Sequence, residues 1–110
     1  MNTKFEYMYR DAENYKNFHF EVISGTMTFA QIENYLHEHE FFMPSQIGMP
    51  DLQNEPLQLY DHIWHEILSI TTTNEIPTIE FNTDQIIQKF KDLFLIDWNI
   101  SQVFQLKGFT

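Results

Sequence analysis

Aromatic and aliphatic residues recur at every second position near both ends of this chain, and a period of two is the mark of a strand with one face toward a core. Between residues 4 and 10, Phe5, Tyr7 and Tyr9 fall on one side and Lys4, Glu6 and Arg10 on the other, with Met8 out of phase. The polar run from Asp11 to Asn17 reads as a turn. Phe18, Phe20 and Val22 then resume the alternation up to Ser24-Gly25, which predicts a hairpin.

Thr28 and Gln31 have the spacing of a capping box, and Met27 and Ile32 stand where a hydrophobic staple would clamp a helix entry. The spacing predicts a first helix ending near Phe41, with Phe29, Ile32, Tyr35 and Leu36 buried and Glu33, His37 and Glu40 on a polar face. From residue 42 to 59, Pro44, Gly48, Pro50 and Pro56 predict an irregular connection. The β-branched tail after Trp64 predicts a long strand from 62 to 72. A turn at Asn74-Glu75 would lead to a short partner over 76–81, kept at an edge by Pro77. Asn82 or Thr83 can cap a second helix through Ile86, Ile87, Phe90, Leu93 and Phe94, and Trp98, Ile100, Phe104 and Leu106 predict a closing strand.

These elements define an α+β fold in the order ββα-loop-ββαβ. Its antiparallel sheet has four to five strands, with two helices mainly on one face. With 110 residues and no linker, repeat or low-complexity tract, residues 1–110 read as a single domain. Eleven Phe, five Tyr and two Trp supply its core, each ring burying roughly 150–250 Å².

Charge is placed unevenly. Six Lys plus Arg stand against sixteen Asp plus Glu, a net charge of −10. All six cations lie near the ends, so residues 17–88 carry eleven acids and neither Lys nor Arg. Such a surface repels phosphate backbones, so no direct nucleic-acid binding is expected, and it suits a basic protein partner or plain solubility. Without cysteine there is no disulfide, thiolate metal site or cysteine nucleophile. The start lacks a signal-peptide pattern, and no stretch nears the roughly 18 apolar residues of a membrane span, so the expected location is the cytoplasm.

Two runs, Tyr7-Met8-Tyr9-Arg10-Asp11-Ala12-Glu13-Asn14-Tyr15-Lys16 and Asp61-His62-Ile63-Trp64-His65-Glu66, together with Phe42-Met43-Pro44, resemble a group of small bacterial proteins of unassigned function. In that group a YRDAxNYK start precedes a strand and helix, a Phe-x-Pro stretch and a DHxWHE run. The likeness spans roughly residues 5 to 75 and implies no activity.

Asp61, His62, His65 and Glu66 form the densest set of potential metal ligands, joined by His37 in a metal-dependent enzyme or sensor reading. On a strand, however, His62 and His65 would point to opposite faces. The order also differs from the His-Glu-x-x-His of zinc peptidases. Arg10 and Asp11, with Asn14, Tyr15 and Lys16, are suited to gripping an anion or to fixing a turn. The four serines lack a nucleophile elbow, and three separated glycines make no phosphate loop.

No cofactor is called for, and the residues favour a non-catalytic acidic interaction module of inhibitor or immunity type. Arg10, Asp11, Glu33, Glu38, Glu40, Asp51 and Glu55 are its candidate contact residues. Its extreme form is mimicry of nucleic acid, which needs the eleven acids on one face. A homodimer through a strand edge, or through the aromatic surface around Phe41, Phe42 and Trp98, is a further alternative.

Overall fold

The computed structural model describes residues 1–11, 13–53 and 62–99. Among them β1 (Asn2–Arg10), β2 (Lys16–Ile23), β3 (Phe41–Phe42) and β4 (His65–Thr73) form one antiparallel sheet in the order β2-β1-β4-β3, and α1 (Thr83–Leu95) packs on one face. The α+β class, the hairpin, the long strand after Trp64 and the helix after Asn82 are as the sequence predicts.

β1 is central and keeps its alternation: Phe5, Tyr7 and Tyr9 are buried toward the core, while Lys4, Glu6 and Arg10 are half-buried on the outer face. α1 begins with a complete capping box, in which Asn82 Oδ1 accepts from the Gln85 N–H and Gln85 Oε1 from the Asn82 N–H, each at 2.9 Å. Ile86, Phe90 and Leu93 face inward at helical spacing, and Phe90 meets Phe42 and Trp98 edge to face or tilted, at ring separations of 6.0 and 5.7 Å.

β2 departs from expectation. Phe18 and Phe20 point outward and are 63% and 42% exposed, whereas Glu21 and Ile23 are buried. The pairing Arg10↔Lys16 makes paired residue numbers sum to an even value, so the odd-numbered aromatics of β1 share a face with Asn17, His19 and Glu21. Glu21 is accommodated because His19 Nε2 lies 2.9 Å from one carboxylate oxygen and the Thr78 hydroxyl donates to the other at 3.0 Å.

The first helix is replaced by two 3-10 turns, Phe29–Gln31 and Glu33–Tyr35. Gln31 Oε1 does return to the Thr28 N–H at 2.8 Å, but the chain leaves helical geometry at Leu36. The Tyr35 carbonyl, which an α-helix would give to residue 39, accepts instead from the Trp98 indole at 3.1 Å. Residues 76–81 form no strand, Asp97–Asn99 is a 3-10 turn, and the rest of the expected closing strand lies outside the described residues. Among the described residues, four strands and one α-helix therefore stand where up to five and two were expected.

Candidate functional site

The end of β1, the start of β4 and the turn between Leu36 and Phe41 enclose an open cleft of about 380 Å³ lined by Arg10, Glu40, Phe41, His62, Trp64 and Glu66. Arg10 comes from the strand face that alternation turned outward. Its Nε sits 3.3 Å from Glu66 Oε2, and its Nη1 donates to Asn14 Oδ1 at 2.8 Å. Asp11 has a structural role: its Oδ1 accepts from the Glu13 and Tyr15 N–H groups, each at 2.9 Å, and fixes the hairpin turn.

The floor is aromatic. His37 lies flat on Trp64, with ring centroids 4.0 Å apart and planes 2° from parallel, and the buried Trp98 meets Trp64 edge-on at 6.4 Å. Around this floor stand carboxylates. Glu38 Oε1 is 3.8 Å from His37 Nε2, Asp97 Oδ1 is 3.9 Å from His37 Nδ1, and Glu40 and Glu66 line the cleft itself.

The backbone here is unusual. Glu38 and His39 have φ of 52° and 61°, and Asp97 and Trp98 have φ of 52° and 60°; of the described non-glycine residues, only Asn14 joins them at positive φ. The Glu40 N–H donates to the His37 carbonyl at 3.0 Å, so residues 37–40 close a tight turn whose two central residues are both left-handed. Glycine or asparagine is usual at such positions, and strain of about 1–3 kcal/mol per residue persists only where the surroundings enforce it.

The histidines of the DHxWHE run are not brought together as metal ligands. His62 Nδ1 accepts from the Trp64 N–H at 3.0 Å, leaving Nε2 to donate to the Arg10 carbonyl at 2.7 Å. His65 is fully buried; Nε2 accepts from the Leu52 N–H at 2.9 Å, and Nδ1 donates to the Ile63 carbonyl at 3.1 Å. All four ring nitrogens are thus engaged with backbone groups, and no set of three His, Asp or Glu suited to an ion occurs among the described residues. Nor do the two rings face opposite ways, since strand geometry begins only at His65: both pack on Tyr9, each with centroids 5.1 Å away. Asp61 lies outside the described residues.

The acids of residues 17–88 divide by use. Glu21 is buried and hydrogen-bonded, Asp51 Oδ1 accepts from the Ser45 N–H at 3.0 Å, Glu66 pairs with Arg10, and Glu75 lies 3.7 Å from Lys4 Nζ. Eleven aligned carboxylates, as nucleic-acid mimicry needs, are therefore not present. Glu33, Glu38 and Glu40 remain exposed, and among the described residues none of them pairs with Lys or Arg; Glu55 lies outside these residues. The aromatic surface expected around Phe42 and Trp98 is core instead. Sequence reasoning placed Phe41 on a dimer surface and not in a cleft, because only tertiary contact joins it to Arg10 and Trp64. Comparison with known proteins finds no matching family model, curated protein or solved structure.

Proposed function

We propose that the protein is a non-catalytic interaction module, of inhibitor or immunity type, whose cleft receives a basic segment of a partner protein. The observation that carries this reading is the cleft in which Trp64 and Phe41 lie beside Glu40 and Glu66, with Arg10 already matched by Glu66 and with Glu38 and Asp97 close to the His37 ring that stacks on Trp64. Lysine or arginine side chains suit such a site: their stems pack on rings while their charges meet carboxylates in a partly desolvated setting. The strained turn that presents Glu38 and Glu40 supports it too, because positive-φ residues cluster where function constrains the backbone.

The test is titration with a lysine- and arginine-rich peptide, followed by tryptophan fluorescence and stopped-flow association. Binding is expected to slow several-fold as ionic strength rises, and the Glu38→Gln/Glu40→Gln pair is expected to slow it further while leaving the fold intact. Salt-insensitive binding, or unchanged binding by the double variant, would sink the proposal.

A further inference from the structure

β3 pairs with β4 only at Glu66 and His65, so from Ile67 to Thr73 the outer edge of β4 has no strand beside it among the described residues. Exposed edges of this length are normally blunted by Lys, by Pro or by an inward charge. This one reads Ile67-Leu68-Ser69-Ile70-Thr71-Thr72-Thr73, with no charge and no proline. One irregularity interrupts it: Leu68 is the extra residue between the pairs Tyr7↔Ile67 and Glu6↔Ser69.

Beyond that bulge the strand is regular, and the core is open along its flank. Ile67 and Ile70 sit on the core face yet are only partly buried, and Phe29 beside them is 41% exposed; with Leu68 and Ser69 they line a hollow of about 290 Å³. A strand added here would both satisfy the free backbone groups and cover this flank.

We infer that the added strand is β4 of a second copy, paired antiparallel about a two-fold axis through Thr71. That register sets Ser69 opposite Thr73 and Ile70 opposite Thr72 of the other copy, so every facing pair from Ser69 to Thr73 is uncharged and most of these residues are β-branched, which favours sheet pairing. Charge decides for self-association along this line despite a net charge of −10 per chain. The carboxylates at the two ends of the edge are each matched within their own chain, Glu66 by Arg10 at 3.3 Å and Glu75 by Lys4 at 3.7 Å. Elsewhere the exposed acids would repel a second copy; here they do not. The contact is isologous and closes, giving a dimer with one continuous eight-stranded sheet rather than a growing ladder.

The experiment is analytical ultracentrifugation of the full chain over a wide concentration range, with amide hydrogen exchange on the same samples. Twice the chain mass is expected, with slow exchange at alternate amides of residues 69–73. Thr71→Lys places like charges opposite each other on the axis at an exposed position, and Ser69→Lys puts a charge into the seam opposite Thr73 of the other copy; each is expected to shift the mass to a single chain while circular dichroism stays that of the parent. A parent monomeric at millimolar concentration would overturn the inference. So would a dimer that both variants leave intact, or a mass that grows without limit.

Discussion

Tyr7 shows how one side chain ties stability to pH. Its ring is fully buried and its hydroxyl donates to the Pro50 carbonyl at 2.6 Å. Burial, with the negative charges of Glu21 and Asp51 adding to it, pushes the phenol well above its ordinary 10.0. A folded value raised above the unfolded one means this contribution is complete below pH 10.0 and is lost as pH climbs toward the folded value. Urea midpoints measured from pH 8 upward are therefore expected to fall beyond that point. Tyr7→Phe should flatten this alkaline limb while lowering neutral stability by about 1 kcal/mol for the lost hydrogen bond. His65 makes the complementary case. His65→Leu fits the cavity but strands the Leu52 N–H and the Ile63 carbonyl, so denaturant unfolding should show a loss of about 2–4 kcal/mol, although no reacting group is removed.

At the scale of elements, the turn from His37 to Glu40 holds two non-glycine residues in left-handed backbone, and their strain is a reservoir that substitution can release. His39→Gly is expected to raise the unfolding free energy by about 1 kcal/mol, read as a higher urea midpoint with unchanged slope. If Glu38 must be held as it is to meet a partner, the same variant should bind the basic peptide more weakly despite being more stable. The two amphipathic segments differ in legibility for a physical reason. α1 carries its caps and its stripe of Ile86, Phe90 and Leu93 within one stretch of chain, so local periodicity suffices. The stretch after Thr28 has equally good local signals, yet its Tyr35 carbonyl is claimed by Trp98, 63 residues away, and no local pattern reports that.

Over the whole molecule, sixteen acids against six cations leave self-repulsion that the ion pairs of Arg10 and Lys4 relieve only in part. Added sodium chloride should therefore raise the melting temperature by roughly 2–4 °C, as expected for about 0.5 kcal/mol of screened repulsion in a chain of this size. A fall with salt would mean that attractive pairs dominate. The sequence by itself determined what depends on neighbours along the chain: the alternation of β1, the caps and stripe of α1, the β-branched run of β4 and the absence of thiol chemistry. Tertiary structure alone decided which face β2 shows, because the length of the Asp11–Tyr15 turn sets the parity of the register and puts Phe18 and Phe20 in solvent. It also decided the cleft, since Arg10, Glu40, Phe41 and Trp64 meet only when β1, β4 and the strained turn are packed, and contacts between residues so far apart leave no period in the chain to read.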